Sequence, residues 1–251
     1  MFWGVATLKL AIVSDVHANL PALEAVLADL AGRGVHRIVC LGDLVGYGAW
    51  PNECCDLLRE QKVVAVMGNH DLAAVEEGAE HSFTPQARKC ILWTRDRLTE
   101  QNRRMLRSFP ETRTFESVTL CHGSLAGRDE YVYSWQGALP SFQQLTTHVG
   151  FLGHTHYAGW FYHEVDPPRG DGTMTPSGGI VKVSLEGAYL VNPGAVGQPR
   201  DGNPEAAYAL YDDQLEQIEL RRLPYNVQAA AQGIIDAGLP TSMAVRLFEG
   251  M

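Results

Sequence analysis

The sequence predicts an α/β protein, and three observations predict it. Apolar runs rich in Leu, Ile and Val alternate with helical patterns as far as Met67. Strand, helix, strand, helix, strand with short links is the signature of a parallel sheet with right-handed crossovers. Each of these runs ends in a short polar cluster, at the strand carboxyl ends where open α/β sheets hold ligands. From Ile180 onward, short strand-like runs recur at regular spacing, which predicts an antiparallel sheet packed beside the first.

Taken in order, the apolar run Leu8 to Val13 reads as a buried strand ending in Ser14-Asp15-Val16-His17. Period two along the strand edge places Asp15 and His17 on one side and turns Val16 away. Asn19 as a cap, Pro21 in the first turn and apolar Leu20, Leu23, Val26, Leu27 and Leu30 predict a helix ending near Gly32 or Gly34. A second strand, Arg37 to Leu41, runs into Gly42-Asp43. A helix over Asn52 to Gln61 leads to a third strand, Val63 to Met67, and to Gly68-Asn69-His70-Asp71. Thr84-Pro85 opens a helical stretch toward Arg107, broken near Thr99. Arg88, Lys89, Arg95, Arg97, Arg103, Arg104 and Arg107 there take up seven of the twenty Lys and Arg. They read as a solvated face rather than as a rim guiding an anionic substrate.

Ser117 to Cys121 is a strand delivering His122-Gly123-Ser124, and Val149 to Leu152 delivers Gly153-His154-Thr155-His156. Between them Tyr131, Tyr133, Trp135 and Phe142 suit core or loop packing, or the walls of a substrate pocket. Val165 to Ile180 is crowded with Pro and Gly and reads as a mobile hairpin loop. Short strands follow at Ile180 to Leu185, Tyr189 to Val191, Ala207 to Tyr211 and Ile218 to Leu223, then one or two short amphipathic helices from Asn226.

With 251 residues, 45% apolar and 20% charged, the expectation is one globular domain over 1–251, with 1–7 a loose extension and 226–251 a helical tail. A formal charge of -9 disfavours tight, nonspecific nucleic-acid binding, which needs basic surface to displace counterions. A small phosphorylated substrate is not excluded, because bound metal ions supply local positive charge. Five cysteines without a CxxC suggest a reducing, cytoplasmic setting. Residues 1–7 are too short for a secretory signal, and no apolar run has membrane-spanning length.

The polar residues collected at strand ends are Asp15, His17, Asp43, Asn69, His70, His122, His154 and His156, and they include five of the nine histidines. Imidazole and carboxylate side chains clustered in this way suit a divalent metal of the manganese, iron, zinc, cobalt or nickel type better than calcium. Read in order, DxH, GD, GNH, an isolated His and GHxH, these blocks resemble the calcineurin-like metallophosphoesterases. Asn192-Pro193-Gly194-Ala195-Val196-Gly197 is similar to the NPGS block of their small bacterial and archaeal phosphodiesterase-like branch.

The resemblance implies a four-layer α/β/β/α sandwich of two mixed sheets and a dinuclear metal-dependent phosphoesterase. One metal would be bound by Asp15, His17, Asp43 and His156, the other by Asp43, Asn69, His122 and His154, with Asp43 bridging. Two such ions, manganese first among the candidates, can share a hydroxide and grip phosphoryl oxygens. His70 corresponds to the histidine that protonates the leaving oxygen or stabilises charge there, and Asp71 orients its ring or caps the following helix. Protein phosphatases of the superfamily continue GD with a phosphate-holding arginine, whereas here Leu44-Val45-Gly46-Tyr47-Gly48 follows. That departure favours a phosphodiester over a monoester dianion. Arg200 is a substitute that could reach the phosphate beside Asn69 and His70, or a structural ion pair. The expected partner is a small phosphorylated substrate, nucleotides included. The alternatives are a phosphomonoesterase or protein phosphatase, and a non-catalytic scaffold like the retromer subunit of this family, which lacks the histidine that stands here as His70.

Overall fold

Strand β1 (Lys9–Val13) is buried because both its faces are covered. Leu10 and Ile12 turn toward the interior between two sheets, and Ala11 and Val13 toward helices outside. The structure, a computed structural model, describes residues 8–165 and 169–251; the N-terminal extension expected over 1–7 lies outside them. After β1, helix α1 (Leu20–Leu30) begins on Asn19, whose side chain accepts from the Ala22 N–H. Then come β2 (Arg37–Cys40), α2 (Pro51–Glu60) and β3 (Val64–Ala65), with β1, β2 and β3 parallel. Helix α3 (Asn69–Val75) starts immediately afterwards, so Asn69 and His70 ride on its first turn.

Helices α4 (Pro85–Arg97) and α5 (Glu100–Arg107) are divided at Thr99, which caps α5, as the sequence predicts. Arg88, Lys89, Arg97, Arg104 and Arg107 are exposed, as a solvated face requires, while Arg95 and Arg103 are half-buried. Arg95 donates to the Ala73 and Glu76 carbonyls and pairs with Glu80 at 2.7 Å, Arg107 donates to the Val75 carbonyl, and Arg103 to those of Leu98 and Arg95. They satisfy main-chain acceptors at helix ends.

The remaining strands are β4 (Thr112–Phe115), β5 (Val118–Cys121), β6 (Val149–Phe151), β7 (Ala158–Glu164), β8 (Arg169–Met174), β9 (Gly179–Lys182), β10 (Ala188–Pro193), β11 (Ala206–Asp212) and β12 (Gln217–Leu223). Helix α6 (Trp135–Gln144) precedes β6, and α7 (Val227–Asp236) and α8 (Thr241–Glu249) close the chain. One six-stranded sheet has the order β3-β2-β1-β11-β12-β9 and the other β4-β5-β6-β10-β7-β8. Leu10, Ile12, Val39 and Leu41 of the first meet Leu120, Val149, Phe151 and Val191 of the second in one core. Two mixed sheets lie face to face with helices outside, the α/β/β/α sandwich.

Two expectations are corrected, and one helix is added to them. The late strands do not form a separate antiparallel sheet: β11 pairs antiparallel with β1 and carries β12 and β9 into the first sheet, while β10 joins β6 in the second. Regular spacing announces strands but says nothing about which exposed edge each will satisfy. The stretch 165–180 is not a hairpin loop throughout, since β8 lies within it and pairs with β7 over six residue pairs. There Gly170 and Gly172 hide the strand pattern, because a Cβ at either position would strike Trp135 or Phe161. Helix α6 went unforeseen because Gly137 and Pro140 interrupt it, although Ser134 caps it.

Candidate active site

The polar clusters lie at the carboxyl ends of β1, β2, β3, β5 and β6, which are parallel strands within their two sheets. Asp15 and His17 do face the same site, but not through strand alternation. β1 has already ended, and Asp15, His17, Asp43, His154 and His156 all adopt left-handed backbone, with φ of 52°, 49°, 53°, 66° and 63°. Such geometry costs about 1–2 kcal/mol for a residue bearing Cβ, and its concentration at one place marks a site that the surrounding fold over-determines. Glycine permits the close approach. A Cβ on Gly42 would lie 2.5 Å from the Gly68 nitrogen, and one on Gly68 would lie 2.0 Å from Asp43 Oδ1.

Each carboxylate spends one oxygen on support and turns the other inward. Asp15 Oδ2 accepts from Ser14 Oγ at 2.6 Å and the His154 N–H at 3.2 Å, while Oδ1 lies 3.3 Å from His156 Nε2 and 3.9 Å from His17 Nε2. Asp43 Oδ1 accepts from the His70 N–H at 2.8 Å, while Oδ2 lies 3.3 Å from His122 Nε2 and 3.6 Å from His17 Nε2. The imidazoles are oriented in the same way. His17, His122 and His156 donate from Nδ1 to the carbonyls of Val45 (3.1 Å), Leu41 (2.7 Å) and Gln198 (2.5 Å), which points Nε2 at the site.

Two donor sets result, Asp15, His17, Asp43 and His156, and Asp43, His122 and His154; in each the ligand atoms lie within 4.8 Å of one another. Asp43 belongs to both, and Asn69 Oδ1 stands beside the second set, 3.1 Å from His122 Nε2. These residues fit divalent cations. His17 Nε2 and His156 Nε2 face each other at 3.2 Å, two lone pairs with no hydrogen between them once Nδ1 holds the proton. Asp15 Oδ1 and His154 Nε2 are buried without a hydrogen-bond partner among the described residues. A cation resolves both defects, and without one they are costs.

His70 lies against Tyr47, Phe83 and His17, at ring-centroid distances of 4.4, 4.6 and 4.8 Å. Its Nδ1 is buried without a hydrogen-bond partner among the described residues, and a Cβ on Gly46 would lie 2.4 Å from it. Burial pushes this ring down to about 4. Asp71 does not orient it. The Asp71 carboxylate is occupied by the N–H groups of Leu44 (2.8 Å), Val45 (3.2 Å) and Gly68 (3.3 Å), so it caps α3 and pins the Asp43 loop. Burial and neighbouring Asp43 push Asp71 up to about 7. Arg200 makes no ion pair with a carboxylate among the described residues; its Nη2 donates to Tyr47 Oη at 3.3 Å and Gln198 Oε1 at 3.2 Å, and its buried Nε has no partner.

The sequence singles out Asn192 to Gly197 only as a resembling block, without the role the structure gives it of holding the loops together. Asn192 Nδ2 donates to the Gly153 carbonyl and Thr155 Oγ1, and the Val196 and Gly197 N–H groups donate to the carbonyls of Ser14 and Asp15. The Asn192 to Gly197 block therefore ties β10 at once to the loops that carry Asp15 and His154. Its resemblance to a family block was the available signal. Of the four aromatics noted beforehand, Tyr131 and Tyr133 stand at the mouth of the site, whereas Trp135 and Phe142 pack in a separate core. Phe83 carried no signal of its own.

The donor sets make a pH prediction for metal-free protein. Burial would lower His122, but Asp43 beside it outweighs burial and holds it at about 9, above the ordinary 6.5. Its contribution to stability is whole below pH 6.5 and lost as pH rises through 9, about 3 kcal/mol at about 1.4 kcal/mol per unit. His70 and His154, both pushed to about 4 by burial, act oppositely: their contribution is whole above pH 6.5 and lost as pH falls toward 4. Urea melts of chelator-treated protein are expected to show maximal stability near pH 6.5, falling on both sides. Added divalent metal should remove the alkaline fall, because His122 Nε2 then carries the cation in place of a proton. An alkaline fall that persists with metal counts against His122 as a ligand.

Comparison with known proteins adds to this geometry. Residues 8–214 match the family model described as the calcineurin-like phosphoesterase superfamily domain. The crystal structure of a metallophosphoesterase from Sphaerobacter thermophilus superposes with a TM-score of 0.86 at 38% identity, covering 98% of this chain and 100% of that one. An uncharacterized protein of Methanocaldococcus jannaschii is 34% identical over 248 residues, 96% of this chain and 98% of its own length. Phosphodiesterase YfcE of Escherichia coli is 28% identical over 225 residues, 83% of this chain and 89% of its own. No helix among the described residues is long and apolar enough to cross a membrane.

Proposed function

The chain belongs to the calcineurin-like phosphoesterase superfamily, and we propose that it is a dinuclear metal-dependent phosphodiesterase. The observation that carries the reading is Asp43 Oδ2, which faces His17 of one donor set and His122 of the other. A single carboxylate so placed offsets the mutual repulsion of two cations. Bound to Asp15, His17, Asp43 and His156 and to Asp43, Asn69, His122 and His154, divalent ions, manganese first, would supply an activated water and positive charge on the phosphoryl oxygens.

The chain's own residues do the rest. Arg200, held by Tyr47 and Gln198, presents a guanidinium that binds one phosphoryl oxygen. His70, with Nδ1 against Gly46 and a lowered pKa, is neutral at pH 7. It acts as a hydrogen-bond donor from Nε2 to the leaving oxygen, where negative charge grows as the P–O bond breaks. Tyr47 holds that ring from one side and Phe83 from another. Preference for a diester rests on Leu44 standing where related phosphatases carry an arginine, so that Arg200 meets a phosphate of lower charge.

The test is kcat/KM for bis(p-nitrophenyl) phosphate against p-nitrophenyl phosphate, with protein reconstituted in Mn, Ni or Co. The diester is expected to be favoured by about ten-fold or more. A monoester preference replaces the reading with a phosphomonoesterase. No retained metal and no rate above background with any of the three leaves a non-catalytic scaffold of the same fold.

A further inference from the structure

A groove of about 340 Å³ opens beside His70 and His154, with Tyr131 on one wall and Phe83 on another. Its size lies in the range that accepts a small organic group, and it is continuous with the proposed reaction centre, since Asn69, His70 and His154 all line it. Tyr131 stacks on His154 at 4.1 Å and lies parallel to Tyr133, 3° apart in plane at 5.7 Å, and Tyr157 meets Tyr133 edge-on at 5.6 Å. Tyr131 and Tyr133 remain 51% and 50% exposed. Two large rings kept half in water at the mouth of a catalytic site have area to give to a ligand.

The wall is also held in place before anything binds. Ser124 Oγ donates to Glu130 Oε2 at 2.5 Å and accepts the N–H groups of Ala126 and Gly127, both at 3.0 Å. Arg128 pairs with Glu111 at 3.0 Å, and Gly123 leaves no room for a Cβ beneath the Arg128 carbonyl. A rigid aromatic platform loses little conformational entropy on binding. Charge sets the rest of the specificity. No Lys or Arg among the described residues lines this groove, and Asp129 does. Arg128 Nε engages Asp129 Oδ1 at 3.3 Å, leaving the second oxygen as an acceptor. That oxygen can accept a hydrogen bond from a ring N–H or amino group.

We propose that this groove is the leaving-group site and takes a nucleobase, stacked on Tyr131 with Asp129 accepting from its edge, so that the substrate is a phosphoester of a nucleoside. The proposal rests on the phosphoesterase reading above and narrows it. Base stacking on tyrosine is tolerant of sequence, so purines and pyrimidines both qualify.

The experiment is calorimetric titration of metal-reconstituted, full-length protein with AMP and with ribose 5-phosphate, which share the phosphate and sugar and differ in the base. AMP is expected to bind about ten-fold or more tightly, and that ratio is expected to shrink below about three-fold in Tyr131→Leu. Phe83→Leu, on the other wall, is the second variant and should also reduce it. Equal affinities in the parent protein overturn the proposal, as does absence of AMP binding or a ratio that survives both substitutions. Hydrolysis of bis(p-nitrophenyl) phosphate by the same sample separates the two failures. Turnover with equal affinities removes the nucleobase site alone, and no turnover with any metal removes the phosphoesterase reading itself.

Discussion

Asp43→Asn is expected to lower metal content from two equivalents to one or none and to reduce kcat/KM for a phosphodiester by more than about a hundred-fold. Loss of a residue that merely supports a ligand costs about 10–100-fold, and Asp43 is itself the shared donor, so that range sets a floor. Asparagine preserves shape. Its carbonyl can still accept the His70 N–H that Asp43 Oδ1 accepts at 2.8 Å, so the loop and α3 stay in register. What changes is the inward atom: an amide replaces the charged Oδ2 that faces His17 and His122 at 3.6 and 3.3 Å. Metal stoichiometry by elemental analysis reads this directly. A second readout is independent of turnover, because Asp43 is what holds His122 at about 9 in metal-free protein; by NMR the substituted protein should titrate His122 well below that. Two retained equivalents with unchanged His122 would remove Asp43 from the bridging position.

His70→Ala is expected to keep both metal equivalents and to reduce kcat by about 10²–10³, the usual cost of removing one positioned hydrogen-bond donor to developing negative charge. The reason for sparing the metal is geometric. The His70 backbone N–H supports Asp43, and that contact survives truncation of the side chain, while the ring itself belongs to neither donor set. The loss should be steep for an alkyl leaving group, which needs its oxygen stabilised, and shallow for p-nitrophenolate, which does not. Because burial pushes the ring to about 4, the parent enzyme should show no loss of kcat between pH 6 and 8 attributable to this residue. Equal turnover of alkyl esters by parent and variant sinks the assignment.

Much of the site was legible because metal ligation restricts chemistry to a few residue types, and short strands put those types at predictable places. Asp15, His17, Asp43, Asn69, His122, His154 and His156 all converge as their motifs indicate. The mechanism of convergence was not legible. Asp15 and His17 reach the site through left-handed backbone, a conformation that local propensity disfavours and only the packed loops around it impose. Of the two roles the sequence offers Asp71, the helix cap is the one the structure shows; the other, orienting His70, arises because a carboxylate next to it in sequence reads naturally as its partner. In space α3 turns it toward the amides of Leu44, Val45 and Gly68 instead.

The DxH stretch after β1 shows where the division falls. Residue type and order by themselves determined the donor chemistry, the run of parallel strands as far as β3, and family membership, because those depend on local periodicity and on which side chains can ligate a cation. Partner strands, and the three carbonyls that turn His17, His122 and His156 inward, depend on contacts between segments far apart in the chain. His17 and His156 are separated by 139 residues yet lie 3.2 Å apart. No local pattern encodes such a distance; it follows from closing two sheets over one core, which is why only the tertiary structure decided it.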